Sequence, residues 1–215
     1  MNYAIIIPAQ ESNKYHKLGD LAPFGDTTLL EWKISQCKEF TKNSQIYISS
    51  NSEIIKNIAL KEEVSFIQRD EKFDYKDMVN NTIEQIDAEI IIWINTTSPF
   101  MSSIIYKNMY EKLKNSNSLS IVSVEKKKEY LFYKNKKLNF SKDFISREAI
   151  EPIYIMTNGC YITYKDEVLK NSHLVGADPL LYEVDSFVST EIKDINDYSI
   201  AKDLIFIYFK KECDV

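Results

Sequence analysis

Glycine, histidine and cysteine are all scarce in this 215-residue chain, with four, two and three copies. Loops that wrap phosphate in backbone N–H groups usually draw on glycine for positive φ and close approach. A glycine-lined phosphate loop is therefore hard to build here. Cys37, Cys160 and Cys213 are odd in number and show no paired spacing. That argues against a disulfide framework or a zinc site and suits a reducing compartment. His16 and His173 both fall in polar loops, which makes them surface residues rather than bases of a Ser-His-Asp or Cys-His arrangement. An excess of basic charge is also missing. The formal charge is −5, whereas a general nucleic-acid binder needs a basic face. No apolar run approaches the ~20 residues of a membrane span. Met1 leads into a strand-like run rather than a signal peptide, so the expected location is the cytoplasm.

What is present is a rhythm. Apolar runs of strand length recur at residues 3–7, 45–48, 64–67, 89–94, 118–124 and 160–163. Between most of them lie stretches of helical period at 29–40, 52–60, 77–86 and 104–113. Strands alternating with helices imply βαβ units and a mostly parallel sheet. The run Ile90-Ile91-Ile92-Trp93-Ile94 is apolar at every position, as for a strand covered on both faces. The expected architecture is one doubly wound α/β domain over 1–215. Its appendage is a β-hairpin insertion at 126–150, with arms at 130–133 and 137–140 joined around Asn135. The lysines at 126–128, 134, 136 and 137 read as a solvated edge that blocks strand pairing. Aromatics on a hairpin outside the βαβ rhythm suggest a contact between copies. Residues 187–192 read as a further strand, followed by a helix at 194–206 with Asp194 as N-cap.

Ligands of open α/β sheets bind beyond the carboxyl ends of the strands. Three polar segments fall there: Pro8-Ala9 with Lys14, Asn95-Thr96-Thr97-Ser98-Pro99, and Asn158-Gly159 before Cys160. The last two carry a plain structural reading as well. Thr97 and Ser98 suit capping of the next helix, with Pro99 pre-setting the turn. Gly159 suits a close backbone approach. Asn95 has no such local role, and its amide can both donate and accept. Arg69 serves either a phosphate or a local ion pair with Asp70 or Asp74.

Taken together these segments resemble the cytidylyltransferases that activate acidic sugars, the CMP-sialic acid synthetases and their relatives. That family opens Ile-Pro-Ala-Arg-Gly-Gly-Ser-Lys, where this chain has Ile7-Pro8-Ala9-Gln10-Glu11-Ser12-Asn13-Lys14. Its Pro-Leu-Gly-Gly meets Pro23-Phe24-Gly25-Asp26, and its Phe-Leu-Arg-Pro meets Phe66-Ile67-Gln68-Arg69. Its Gln-Pro-Thr-Ser-Pro-Leu meets residues 95–100, and its Asn-Gly-Ala-Ile-Tyr-Ile meets Asn158-Gly159-Cys160-Tyr161-Ile162. Near the C-terminus the acidic Ser-Ile-Asp-Ile-Asp-Thr meets Ser189-Thr190-Glu191-Ile192-Lys193-Asp194. There one aspartate becomes Glu191 and the next becomes Lys193, on one face if the segment is a strand.

The resemblance implies a nucleotide-diphospho-sugar transferase-like fold and transfer of CMP from CTP, with magnesium, to an acidic sugar or a sugar or polyol phosphate. It assigns Lys14 and Glu191 to catalysis. Pro8, Ala9, Gln10, Ser12, Asn13, Lys14, Arg69 and Asn95 go to the nucleotide, and Thr97, Arg147, Asn158 and Lys193 to the acceptor. Glu191 and Asp185 go to Mg2+. It also implies a homodimer and a role in surface-glycan assembly, without nucleic-acid or membrane partners. Two other readings compete: a glycosyltransferase of similar fold, and a silent relative acting as a binding subunit. The first lacks its carboxylate at Ile94-Asn95-Thr96-Thr97; the second is motivated by Gln10, Glu11 and Lys193.

Overall fold

All five residues of the apolar run Ile90–Ile94 are buried, in the middle of a sheet. The computed structural model of the protein describes residues 2–72, 74–140 and 145–213. Its elements, in order, are β1 (Tyr3–Pro8), β2 (Pro23–Phe24), β3 (Thr27–Thr28), α1 (Leu29–Phe40), β4 (Ile46–Ser50) and α2 (Glu53–Lys61). Then follow β5 (Ser65–Gln68), α3 (Tyr75–Glu84), β6 (Ile90–Ile94), α4 (Ser103–Lys114), β7 (Ser120–Lys127), β8 (Phe132–Tyr133) and β9 (Lys136–Lys137). The chain closes with β10 (Ile153–Tyr164), α5 (Lys165–Asn171), β11 (Leu180–Val184) and α6 (Ile195–Cys213).

Seven strands form one sheet in the order β11-β7-β10-β6-β1-β4-β5. All neighbours run parallel except β10, which is antiparallel to both β6 and β7. The sheet is covered on both faces. Ile5 and Ile7 of β1 pack with Leu30, Ile34, Ile55 and Met109 of α1, α2 and α4. Ala4 and Ile6, on the other face, pack with Val79, Ile83 and Val168 of α3 and α5. This is the expected doubly wound arrangement. Among the described residues no helix is long and apolar enough to cross a membrane.

Helix α1 has the bounds its period predicts. Thr28 caps it, its Oγ1 accepting from the Glu31 N–H at 3.2 Å and donating to the Glu31 carboxylate at 2.9 Å, a side-chain N-cap. Asp194 caps α6, its Oδ1 accepting from the N–H groups of Asn196 and Asp197. The hairpin is shorter than expected, two residues per arm. Lys134 and Asn135 both take positive φ at its tip, as a type I′ turn requires. Residues 141–144 of the 126–150 stretch lie outside the described residues.

Two expectations are corrected. Residues 187–192 form no strand. The Asp185 carboxylate accepts from the N–H groups of Phe187 and Val188, and the Asp185 carbonyl from Ser189 N–H. These local bonds take the donors a ladder would need and bend the chain into a turn. The edge strand is β11 instead. Nor do Thr97 and Ser98 cap α4, whose N-cap is Ser102 without a side-chain bond.

Candidate functional site

Beyond the carboxyl ends of β1 and β6 lies a cleft of about 480 Å³. Pro8, Gln10, Asn13, Lys14 and Arg69 line one side, and Asn95, Thr97, Glu191 and Lys193 the other. A second cleft, about 720 Å³, opens across the loop and shares Gln10, Arg69, Tyr75 and Met78. Glu11, Ser12 and Lys17 line that one.

The loop after β1 is shaped by one buried acid that no motif singles out. Asp20 is 5% exposed, and its carboxylate accepts from Gln10 N–H at 2.6 Å, Tyr15 OH at 2.5 Å and the Thr96 hydroxyl. Burial pushes its pKa up, while these donors and the nearby Arg69 oppose the rise. Arg69 in turn donates to Ala9 O at 2.8 Å. Gly19 makes the fold of the loop possible. It sits at φ +51°, and a Cβ there would lie 2.3 Å from Gln10 O. The loop's single close approach thus comes from its returning limb. Asn13 Oδ1 accepts from Tyr15 and His16 N–H, turning the tip so that Lys14 is exposed. Lys14 has no ion-pair or hydrogen-bond partner among the described residues.

The opposite wall is a network of amides. Asn95 Oδ1 accepts from Trp93 Nε1 at 3.3 Å, and its Nδ2 donates to Asn158 O at 2.7 Å. Asn158 sits where the β10–β7 register slips between Met156 and Tyr161, and such a bulge re-aims side chains. Its Nδ2 donates to Glu191 Oε1 and its Oδ1 accepts from Tyr161 OH. Burial drives the Tyr161 phenol well above its ordinary pKa, so it stays a donor. Gly159 packs closely on Met101: a Cβ there would lie 2.3 Å from Met101 Cε and would have to displace the end of that side chain. Glu191 Oε2 pairs with Lys193 Nζ at 3.3 Å, and Ile192 N–H donates to Thr97 O at 2.8 Å.

Comparison with known proteins identifies the family and supports the fold. A family model described as cytidylyltransferase matches residues 4–169. The chain belongs to the cytidylyltransferase family. It is by that membership a CTP-dependent nucleotidyltransferase, which decides against the glycosyltransferase reading. A search of curated protein sequences gave no match. Among solved structures, a CMP:2-keto-3-deoxy-manno-octonic acid synthetase complexed with CTP superposes with a TM-score of 0.73 at 10% identity, covering 95% of this chain and 98% of that one. The 4-diphosphocytidyl-2C-methyl-D-erythritol synthase of Anaerococcus prevotii gives 0.70 at 13%, covering 95% and 98%. A cytidylyltransferase of Leptospira borgpetersenii gives 0.60 at 16%, covering 96% and 87%. At these identities the likeness is one of fold.

Within this cytidylyltransferase several expected site residues hold other posts. Ala9 is buried, its N–H donating to Ser49 O and its carbonyl accepting from Arg69, so it is scaffold. Arg69 forms no ion pair with Asp70 or Asp74; Asp74 instead caps α3. The amide of Asn95 ties the chain just after β6 to the bulge of β10, and that of Asn158 holds Glu191 and Tyr161. Arg147 pairs with Glu129 at 3.1 Å beside the hairpin and lines neither cleft. Asp185, occupied in its turn, lines neither as well. Neither histidine does so: the His16 ring lies 4.9 Å from that of Tyr198, and His173 Nδ1 accepts from Val175 N–H.

The donor set limits any metal. Among the described residues no three His, Cys, Asp or Glu side chains are grouped to hold an ion. Of the two carboxylates in the smaller cleft, Asp20 is engaged by its three donors, which leaves Glu191. Its partner Lys193 is 67% exposed and free to swing. That suits a magnesium ion with one protein carboxylate, its other ligands being phosphate oxygens and water.

Proposed function

We propose that the enzyme transfers CMP from CTP to a small acidic acceptor, an acidic sugar or a sugar or polyol phosphate, in the cleft between Lys14 and Glu191–Lys193. The observation that carries this reading is that the partnerless Lys14 and the Glu191–Lys193 pair line one cleft. Lys14 offsets the charge of the triphosphate, and Arg69, which borders both clefts, does so where they meet. Lys193 meets the acidic group of the acceptor, and Asn158 keeps Glu191 oriented. An acceptor oxygen attacks the α-phosphorus in line; the new O–P bond forms as the bond to pyrophosphate breaks, and the acceptor's proton is released. Glu191 would hold Mg2+, which when bound neutralises phosphate charge. Pyrophosphate release from CTP and magnesium, across a panel of keto-sugar acids and sugar or polyol phosphates, tests the reading. No release with any acceptor contradicts it.

The exposed apolar residues Phe132, Tyr133 and Leu138 of the hairpin and Tyr154, Ile155 and Met156 of β10 support a contact between two copies of the chain. Light scattering should give a dimer at micromolar concentration, and a monomer would refute the contact.

A further inference from the structure

Lys33 is the most deeply buried charge-bearing residue outside the cleft, with no exposed surface. Its Nζ donates to Gln36 Oε1 at 2.7 Å, Ser98 O at 2.8 Å and Tyr106 OH at 2.9 Å, with Met101 O at 3.4 Å. Two neighbours on α1 reach the same turn. Trp32 Nε1 and Gln36 Nε2 both donate to Pro99 O, at 2.7 and 3.0 Å. One helix thus holds three carbonyls of the turn between β6 and α4, within a stretch that has little regular hydrogen bonding of its own. The bonds inside it, Ser98 N–H to Asn95 O and Met101 N–H to Ser98 O, are long at 3.3 and 3.5 Å. Ser98 Oγ is buried without a partner, so its hydroxyl adds nothing to fix the turn.

That turn supports everything on the far wall. Thr97 O accepts from Ile192 N–H, between Glu191 and Lys193. Met101 and Ser98 lie against Gly159, next to Asn158. We propose that Lys33 is a positioning residue for the transfer reaction: its buried ammonium clamps the 98–101 turn and, through Thr97 and Ile192, sets where Glu191 and Lys193 stand. This rests on the reading of the cleft given above.

The cation has no carboxylate partner among the described residues. The titratable groups facing it are the Cys37 thiol on α1, the Cys160 thiol on β10 and the Tyr106 phenol on α4. Burial raises both thiols, Cys37 to about 12, so they stay neutral. Burial also drives Lys33 down to about 7. Near neutral pH the amine is thus about half protonated, and in either form its N–H groups donate to the carbonyls of the turn.

The test is amide hydrogen exchange in wild type and Lys33→Met, together with steady-state pyrophosphate release. The exchange of Ile192 N–H is compared with that of Arg69 N–H, which bonds Ser50 O in the loop after β5. The Ile192/Arg69 ratio should rise about tenfold as the far wall opens locally. With an acceptor that supports wild-type turnover, kcat should fall about tenfold while the KM for CTP stays within about twofold. Gln36→Met, which keeps the ammonium, should move both readouts the same way by less, and it decides the matter if Lys33→Met fails to fold. An unchanged ratio, or equal acceleration at both amides, overturns the clamp. A normal kcat with a raised ratio overturns the positioning role. Absence of wild-type turnover overturns the functional reading, and the positioning role with it.

Discussion

The two walls of the cleft are held by opposite means. The loop wall hangs on one buried anion, Asp20, gathering a backbone N–H and two hydroxyls. The far wall hangs on one buried cation, Lys33, gathering backbone carbonyls. In both, the buried charge faces the dipoles of a loop and the exposed charges, Lys14 on one side and Lys193 on the other, are left to meet a ligand. The difference teaches that with so little glycine, loop shape here comes from charged side chains bonding to main chain.

The largest expected effect breaks the loop wall. Asp20→Ala leaves the Gln10 N–H and the hydroxyls of Tyr15 and Thr96 without their acceptor. Unfolding in urea should show a loss of about 3–5 kcal/mol, the scale of breaking a buried charged network. Next comes the far wall, where Glu191→Gln should lower turnover at least about a hundredfold, roughly 3 kcal/mol of transition-state stabilisation. Full wild-type turnover in that variant would remove Glu191 from the site. Lys193→Asp should keep the fold; it should raise the KM for the acceptor far more than that for CTP.

The two buried charges also differ in sign with pH. The Lys33 pKa is lowered from 10.5 to about 7, so above pH 7 the unfolded chain binds the extra proton and stability rises with pH. The penalty for burying the ammonium is present in full below pH 7. Between pH 7 and 8.5 the gain should be up to about 2 kcal/mol, and it should vanish in Lys33→Met. Above that range the raised thiols work against it, because the unfolded chain loses those protons first. The smallest effect sharpens the boundary of the site. Arg147→Ala removes only a pair that is 63% and 44% exposed and should change stability by less than about 0.5 kcal/mol and turnover not at all.

Much of the fold was legible because it follows hydrophobic period. The bounds of α1 and the two-sided burial of β6 came directly from it. The edge strand β11 was missed because it is half-exposed, while the β-branched stretch at 187–192 looked more like a strand. The Asp185 side chain, taking two N–H groups, and its carbonyl, taking a third, make that stretch a turn. Lys14, Glu191 and Lys193 were singled out by the family resemblance, and the structure brings all three to one cleft. Asp20 left no trace, being one acid in a polar loop. Lys33 did leave one: it falls at i+3 from Leu30, between Leu30, Ile34 and Cys37 on the apolar stripe of α1, where a solvated lysine has no place. Asn95 and Asn158 were found as polar residues at the ends of apolar runs, but that the Asn95 amide meets the Asn158 carbonyl depends on the antiparallel β10, which periodicity does not reveal.

The central claim is that the exposed charge of the loop wall meets the triphosphate. Titration calorimetry of CTP with magnesium, on wild type and Lys14→Ala, measures it directly. Loss of the Lys14 ammonium should weaken binding by about 1.5–3 kcal/mol, the scale of hydrogen bonds to charged groups, with the fold unchanged. Equal affinity in the two proteins would contradict it.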